Sequence, residues 1–398
     1  MILFLQFSSE KLFSQIASES LSSKAASEAL GDPRMLKLAE TIVNYSCELK
    51  PGQKILIDTD EDAAPLVQAI VKEAFRVGGY PFVKISNAEI DREIVMQCAT
   101  DQLKLMAEFD LLQMKAMDAV VLLHASRNPM EESDIPNEKT QMFENIYYHA
   151  VTTERLKKNW VRVKFPNYAS AQFANMSTEG YRNFFYKVCN LDYAKMGEAM
   201  KPLAELMRKT DKIRIIASDT DLTLSIKNQK VIPCRGKGNI PDGEVFTTPV
   251  KDSANGFITF NAVSPYGGTL FDRVRLEFEK GKIVRATSND TAKLNSILDT
   301  DLGSRFLGEF ALGVNPYIEK PVKSILFDEK ISGSLHLAIG NAYSDSKESN
   351  KSSIHWDIIL IQTSECGGGE VWFDDVLIRK DGKFVLPELS NLNPENLK

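Results

Sequence analysis

The chain has 398 residues, 43 % of them hydrophobic, with 48 basic and 54 acidic side chains. This length predicts two domains, and the mild negative charge without basic blocks argues against nucleic acid as a partner. The apolar runs are far shorter than the roughly 20 residues of a membrane-spanning helix, so we expect no membrane partner.

The cysteines and the N-terminus indicate the compartment. Five cysteines are widely spaced and form no CxxC pair, which is typical of reduced thiols rather than of a disulfide framework. Residues 1–7 are apolar but lack the basic region and the cleavage site of a signal peptide. We therefore expect a cytoplasmic protein.

The first half of the chain predicts alternating strands and helices. Residues 1–34, rich in Ser, Ala and Glu, form an N-terminal extension. Beyond it the pattern predicts strands at 54–58, 80–86, 119–125 and 160–165, and helices at 62–77, 91–117 and 138–158. Such alternation is typical of a mostly parallel sheet flanked by helices. We expect an α/β scaffold domain over residues 35–209, ending in a helical connector at 177–209.

This half carries no sign of a nucleotide cofactor. The turn after the first strand reads Asp58-Thr59-Asp60-Glu61-Asp62, which is acidic and contains no glycine. Such a turn repels phosphate.

The pattern changes at Lys212 to short β-like segments separated by hairpin turns. These turns include Glu279-Lys280-Gly281-Lys282, Ser288-Asn289-Asp290 and Lys380-Asp381-Gly382-Lys383. A helix is predicted at 291–302 and a single strand at 370–379. Residues 210–398 are therefore expected to form a second, β-rich (α+β) domain.

Two of the four histidines, His336 and His355, lie in a segment that also holds Glu309, Glu329 and Asp357. His355 and Asp357 are two residues apart in an apolar, β-branched run, so a strand would point both to one face. A buried face accepts such a pair when the groups are paired or bind a metal. Imidazole and carboxylate suit zinc, cobalt or manganese, and surplus carboxylates can bridge two ions.

A further carboxylate, Glu244, follows a glycine in DGEVFTTP at 242–249. The candidate ligands thus come from separate elements of the second domain. No HExxH motif is present, which excludes a helix-borne zincin site.

Three other residues are expected to be structural. His124 ends a predicted strand, and Cys366 lies in a glycine-rich turn. Trp356, between His355 and Asp357, should point to the opposite face and join the core.

Five segments in order carry a resemblance to a known family: GNIPDGEVFTTP, LGEFALGVNP, FDE followed by HLAIGNAY, and SSIHWD. Together they resemble the thermophilic aminopeptidases of the aminopeptidase T and aminopeptidase S type, a metallopeptidase family. The resemblance extends from about residue 35 to 386. It implies a homodimer with an α/β N-terminal domain and a β-rich catalytic domain.

The resemblance also implies an activity. Family members release N-terminal residues from peptides that have a free N-terminus, using two divalent metal ions per chain, here Zn, Co, Mn or Mg. Glu244 corresponds to the first metal-binding glutamate, and Glu309 to the glutamate shared by both ions. His336, His355 and Asp357 correspond to the remaining ligands.

Two further positions follow from the same resemblance. Glu329 corresponds to an additional ligand, although it precedes His336 by seven residues, a longer spacing than the expected FDExxxxH form. Tyr343 corresponds to the tyrosine that assists at the scissile bond. Together with Glu309 it is the predicted catalytic residue.

Two other functions stay open at this point. The chain could be another dinuclear-metal amide hydrolase of the dipeptidase kind, acting on an N-terminally blocked or carboxylate-presenting substrate. It could also be a non-catalytic metal-binding scaffold protein. Hydrolysis of free and N-acetylated peptides separates these hypotheses.

Overall fold

The computed structural model describes residues 31–343 and 349–398, so the predicted extension at 1–34 lies almost wholly outside the described residues. The first described helix starts at Pro33. Proline suits this position because the N–H group that it lacks would have no hydrogen-bond acceptor within the helix. Asp32 is its N-cap: one carboxylate oxygen accepts the backbone N–H of Arg34 at 2.9 Å.

The helical segments lie mostly in the first half of the chain. Cys98 and Ala99 have extended backbones, so the helical region predicted at 91–117 consists of two helices. Neither residue is a recognised helix breaker, which is why the sequence did not indicate the interruption. The helices are Pro33–Glu40, Thr41–Ser46, Ala64–Arg76, Ala88–Gln97, Thr100–Ala116, Asn137–Phe143, Glu144–Tyr148, His149–Arg155, Tyr168–Phe173, Thr178–Cys189, Tyr193–Lys209, Thr291–Leu298, Ile325–Asp328 and Pro394–Leu397, with 3₁₀ helices at Glu61–Ala63, Ser364–Cys366 and Pro387–Leu392.

The strands are numbered here in chain order. They are β1 (Lys54–Asp60), β2 (Tyr80–Ser86), β3 (Ala119–His124), β4 (Asn159–Lys164), β5 (Lys212–Ala217), β6 (Thr220–Ser225), β7 (Val231–Cys234), β8 (Gly238–Ile240), β9 (Glu244–Thr247), β10 (Asn255–Thr259), β11 (Ser264–Tyr266), β12 (Thr269–Phe271), β13 (Arg275–Glu279), β14 (Lys282–Thr287), β15 (Leu307–Gly313), β16 (Ser334–Gly340), β17 (His355–Ile361), β18 (Glu370–Phe373), β19 (Val376–Lys380) and β20 (Lys383–Phe384).

The N-terminal sheet is parallel throughout, in the order β2-β1-β3-β4-β8. Its middle strand β3 reads AVVLLH and is buried from Ala119 to Leu123, as expected for a parallel strand covered on both faces. This confirms the predicted α/β fold. Strand β8 comes from beyond the helical connector, so the second half of the chain completes the first sheet.

The second half contributes an eight-stranded sheet in the order β14-β13-β10-β6-β5-β18-β19-β20, antiparallel throughout. Two predicted hairpin turns are present: Lys280-Gly281 and Asp381-Gly382 have positive φ angles at both residues, the type I′ geometry that suits the twist of paired strands. The third, Ser288-Asn289-Asp290, is not a hairpin, because it leads from β14 into the helix Thr291–Leu298. The single strand predicted at 370–379 is wrong. Asp374 and Asp375, with φ of 46° and 66°, turn the chain back and make two strands, β18 and β19.

A third sheet, which we call the ligand sheet, has the order β17-β16-β15-β9-β7 and is also antiparallel. Every residue of β15 and β16 is buried. Polar side chains on these strands therefore lie inside the protein. Within the ranges that the structure describes, no helix is both long and apolar enough to cross a membrane.

Candidate metal centre

Two of the predicted ligands face each other across the ligand sheet. Glu309 of β15 pairs with Ala338 of β16, which pairs on its other side with Asp357 of β17. Residues in register point to the same face. The Glu309 and Asp357 carboxylates therefore lie on either side of the Ala338 methyl group, which takes up little space.

His336 and Glu244 lie on the same face. His336 pairs with Ala311, two residues from Glu309, and Glu244 pairs with Gly313, two residues further along β15. Alternate residues of a strand share a face. Four predicted ligands therefore converge on one buried surface, opposite small residues that leave them room.

His355 lies at the margin of this surface, two residues from Asp357 and paired with Gly340. The Tyr343 ring stands edge-on to the His355 ring, with 5.9 Å between centroids. Tyr343 is 62 % exposed, while desolvation by the protein around its hydroxyl raises the pKa of the phenol. The predicted catalytic tyrosine is thus beside the ligand cluster and accessible to a substrate.

The side chain of His336 is at the centre of the cluster. Its Nε2 lies 3.1 Å from Glu309 Oε1, 3.4 Å from Glu244 Oε2 and 3.8 Å from Asp357 Oδ1. The Nε2 atom of His355 lies 3.5 Å from Asp357 Oδ2. Residues from four strands therefore place imidazole and carboxylate donors within a few ångströms of one another.

Both imidazoles are oriented by backbone carbonyls. His336 Nδ1 is 3.2 Å from the carbonyl oxygen of Glu329, and His355 Nδ1 is 2.8 Å from that of Asn341. Since a carbonyl oxygen only accepts, each Nδ1 carries the proton and donates it. With Nδ1 held by a carbonyl, Nε2 is the nitrogen that faces the carboxylates: His336 Nε2 donates to Glu309 while the imidazole is charged, and its lone pair would become available when a metal ion replaces that proton, the arrangement usual for metal-binding histidines.

Glu329 follows the short helix Ile325–Asp328 and is 8 % exposed. Its neighbour Lys330 is fully buried, and its Nζ lies 2.7 Å from Glu329 Oε1 and 2.5 Å from Glu244 Oε1. Neither contact has the angles of a hydrogen bond, so the attraction is coulombic. The sequence analysis missed Lys330, because nothing in FDEKISG marks this lysine as buried.

Asp242 is a second residue that the sequence analysis missed. It is fully buried and accepts the backbone N–H groups of Gly236 and Gly243, at 2.7 and 3.0 Å. Burial raises its pKa to about 7, with Lys330 3.8 Å away acting in the opposite direction. Asp242 and Cys234 could form a further donor group with Glu244, but the two backbone hydrogen bonds suit Asp242 to holding the turn before β9.

The surplus of carboxylates favours positive charge at the cluster. Burial raises the pKa of Glu329 to about 8. Burial alone would lower the pKa of His336, but the hydrogen bond to Glu309 and the charges of Glu244 and Asp357 raise it to about 9. The same negative field attracts a divalent cation, which competes with protons for these donors.

The residues fit a divalent metal centre. Glu244 Oε2 and Asp357 Oδ1 are buried without a hydrogen-bond partner, a costly state that a cation would relieve. Donor atoms within 4.8 Å of one another form two groups: Glu244, Glu309 and His336, and Glu329, His336 and Asp357. His336 belongs to both groups, so the bridging role of Glu309 stays a prediction. His355 lies outside both.

Comparison with known proteins identifies the family. The sequence profile described as thermophilic metalloprotease (M29) matches residues 32–384. The chain belongs to this family. Aminopeptidase PepS of Streptococcus thermophilus is 26 % identical over 385 residues, covering 81 % of this chain and 91 % of that protein. Aminopeptidase 2 of Geobacillus stearothermophilus is 25 % identical, covering 87 % and 94 %.

Among solved structures, wild-type AmpT from Thermus thermophilus matches with a TM-score of 0.76 at 21 % identity. The match covers 89 % of this chain and 99 % of that chain. This similarity shows that the M29 chain described here has the same fold. The predicted ligands and Tyr343 all lie within the range that the M29 profile matches.

Proposed function

We infer that this member of the M29 family is a metal-dependent aminopeptidase that holds two divalent ions. The observation that carries the inference is the convergence of buried carboxylates and two oriented imidazoles on one face of the ligand sheet, with two carboxylate oxygens lacking partners. The named aminopeptidase relatives support the reaction class.

The proposed ligands are the side chains that the sequence analysis singled out. Zn, Co, Mn and Mg all suit this mixture of oxygen and nitrogen donors. The chemistry that such ions supply is Lewis acidity toward a peptide carbonyl and toward water. The ligands are Glu244, Glu309, Glu329, His336, His355 and Asp357, with Glu309 as the shared carboxylate.

The chain's own residues perform the remaining tasks. The carbonyl oxygens of Glu329 and Asn341 hold Nδ1 of His336 and His355, which directs each Nε2 at the carboxylates. Tyr343 is exposed beside His355, so its hydroxyl can donate a hydrogen bond to the oxyanion that develops on the scissile carbonyl. The buried carboxylates attract a positively charged α-amino group, which favours an exopeptidase over an endopeptidase.

The test combines metal analysis with peptide hydrolysis. Elemental analysis of the purified protein should give two divalent ions per chain, and a leucyl peptide should lose its N-terminal residue. A chelator should abolish this activity, and cobalt or zinc should restore it. The N-acetylated peptide should resist cleavage. Unchanged rates after acetylation would refute an aminopeptidase, and cleavage indifferent to chelators would refute a metal mechanism.

We also propose that the protein is a cytoplasmic homodimer. The edge strand β2 exposes apolar side chains on both faces, with Phe82 42 %, Val83 43 % and Ile85 61 % accessible. Open, apolar edge strands are prone to pairing with another chain. All five cysteines are free thiols, which agrees with a reducing compartment.

A further inference from the structure

Four basic side chains, which we call the basic cluster, gather on the N-terminal sheet: His124, Arg155, Arg162 and Lys164. Arg162 and Lys164 alternate on β4 and so share one face, and Lys164 pairs with His124 of β3. Arg155 belongs to the helix His149–Arg155, and its guanidinium lies 5.5 Å from the ring centroid of Trp160, on that same strand.

Both guanidinium groups have unsatisfied, buried atoms. Arg155 is 8 % exposed, and the Nε atoms of Arg155 and Arg162 are buried without a hydrogen-bond partner. The rest of the Arg155 guanidinium has partners: Nη2 lies 3.5 Å from Thr152 Oγ1, and the guanidinium also hydrogen-bonds to the Tyr148 hydroxyl. Leaving such donors unpaired is costly, so a ligand that accepts a hydrogen bond from them would stabilise this part of the protein.

No carboxylate of the described residues forms an ion pair with any member of the basic cluster. Arg162 of β4 pairs with Leu122 of β3, which pairs on its other side with Asp58 of β1, the acidic residue next to Arg162 across the sheet. Asp58 in turn pairs with Lys84 of β2. Two strand spacings amount to about 10 Å. Asp58 is therefore too distant to neutralise Arg162.

Two carboxylates act on the basic cluster without forming an ion pair with it, Asp58 on Arg155 and Asp328 on Lys164, but the positive charges still dominate the titration of their neighbours. Desolvation by the surrounding protein, followed by the charges of Arg162, Arg155 and Lys164, lowers the pKa of His124 to about 4. Burial alone would raise the pKa of Tyr148, but Arg162 and Arg155 lower it. His124 is thus neutral at pH 7, and the field around the two arginines favours an anion.

The basic cluster borders the candidate metal centre. Arg162 pairs with Asn239 of β8, and the chain runs from there to Glu244 within five residues. Lys164 Nζ donates to Ser324 Oγ at 3.2 Å, and Ser324 precedes the helix that ends at Glu329. Arg162 also acts on Tyr343 electrostatically, opposing the rise in the pKa of the phenol.

We propose that Arg155 and Arg162 bind a carboxylate of the peptide substrate while its N-terminal residue occupies the metal centre. The proposal rests on the aminopeptidase function inferred above. Guanidinium groups suit a carboxylate because their fork of N–H donors matches its two oxygens. The carboxylate is either the C-terminus of a short peptide or an acidic side chain that follows the N-terminal residue. The two arginines then determine which peptides the enzyme prefers.

The experiment compares three substrates of the metal-loaded enzyme: Leu-Gly-Gly, its C-terminal amide, and Leu-Asp-Gly amide. The wild-type enzyme should prefer a carboxylate-bearing peptide over Leu-Gly-Gly amide by about 10- to 100-fold in kcat/KM, the range of a hydrogen bond to a charged group. The difference should lie in KM, because the contact is remote from the reacting bond. A preference for Leu-Gly-Gly identifies the C-terminus, and a preference for Leu-Asp-Gly amide identifies the side chain.

Arg162→Gln and Arg155→Gln should each reduce this preference toward unity, measured as the ratio of kcat/KM for the carboxylate-bearing peptide to kcat/KM for Leu-Gly-Gly amide in the same variant, so that any common change in activity cancels. Arg162→Lys should show an intermediate preference, because lysine keeps the positive charge but lacks the paired N–H donors of the guanidinium group. Arg285→Gln, at an exposed arginine of β14, is the matched control. A variant that is merely misfolded would lose activity on all three substrates equally.

Two outcomes overturn the proposal and leave the aminopeptidase function intact: equal kcat/KM of the wild-type enzyme for all three peptides, or a preference that stays at the wild-type value in both Arg155→Gln and Arg162→Gln. Failure of the metal-loaded wild type to cleave any of the three would instead refute the aminopeptidase function itself.

Discussion

Lys330 Nζ lies 2.5 Å from Glu244 Oε1, and both residues are buried. The ammonium group also contacts Glu329, so one cation is shared between two proposed ligands. It uses one oxygen of each carboxylate and leaves the second for another partner. We therefore expect Lys330 to reduce the repulsion between these carboxylates when no metal is bound.

Lys330→Met should destabilise the metal-free protein by about 3–5 kcal/mol, the usual effect of removing one partner of a buried ion pair. The loss should be smaller in the metal-loaded protein, where bound cations offset the carboxylates. Urea unfolding of both forms measures this. Lys383→Met, at an exposed lysine, is the control and should change little. Equal losses with and without metal would contradict the assigned role.

Glu309→Gln should remove metal and activity and largely retain the fold, because glutamine keeps the shape of the side chain. We expect activity to fall by more than the roughly 10- to 100-fold that is typical of changes outside the ligand shell. Elemental analysis, peptide hydrolysis and circular dichroism provide the readouts. Glu279→Gln, at an exposed strand end, is the control. Full metal content in Glu309→Gln would show that Glu309 is not the shared ligand.

Tyr343→Phe should lower kcat by about 10²- to 10³-fold, the usual cost of losing one oxyanion donor. KM and metal content should stay close to the wild-type values, since the ring contacts with His355 and Phe246 remain. Steady-state kinetics with a leucyl peptide make the measurement. Tyr168→Phe, at a tyrosine that is 76 % exposed, is the control. An unaffected kcat would assign Tyr343 a packing role only.

Asp301 anchors the segment that leads into β17. Its carboxylate accepts the backbone N–H of Ser353 at 2.6 Å and hydrogen bonds from Gly303 and the Ser352 hydroxyl. Burial alone would raise the pKa of Asp301, but these hydrogen bonds hold it well below its usual range. Asp301→Asn should therefore lower stability at pH 7, by about 1.5–3 kcal/mol for hydrogen bonds to a charged group.

This contribution depends on pH in a defined direction. The unfolded chain protonates Asp301 near its ordinary pKa, above the folded value, so the stabilisation is present above about pH 4–5 and is lost as the pH falls. Urea unfolding of the metal-free protein at pH 7 and pH 3 should thus show a wild-type advantage that shrinks in acid. Asp252→Asn is the control. An advantage that does not change with pH would contradict the assignment.

Ile85→Lys should convert the proposed dimer to a monomer. The substitution places a charge on the exposed face of β2 without removing buried volume, so the fold should persist. Sedimentation velocity gives the mass of both proteins. Lys293→Glu, at an exposed helix position on another surface, is the control. A wild-type monomer, or a dimer that survives the change, would place the interface elsewhere.

Local patterns predicted much of the fold. The strand at 80–86 has the predicted bounds, and both Gly-containing hairpin turns form where expected. The predictions were wrong where the local sequence carried no signal for the element or indicated a different one. Strand β8 has three residues, Gly238–Ile240, and exists because β4 offers a free edge. The turn at Asp374-Asp375 was hidden by apolar residues on both sides of it.

The candidate ligands illustrate the same division. The spacing of His355 and Asp357 predicted a shared face because strand geometry alone requires it. Trp356 is buried against Tyr266 and Phe271, as its position predicted. Lys330 had no comparable signal, because its partner Glu244 lies on a strand far away in the chain.

The order of apolar and polar residues along the chain determined the alternating first half, the β-rich second half and the types of metal donor available, since these depend on spacing within one element. Only the tertiary structure decided which donors meet. The antiparallel register of β9, β15, β16 and β17 brings distant residues into neighbouring rows. It also buries Lys330 among the carboxylates and leaves Arg155 and Arg162 without a carboxylate ion-pair partner in the described chain, because burial and charge balance depend on all the elements that pack together.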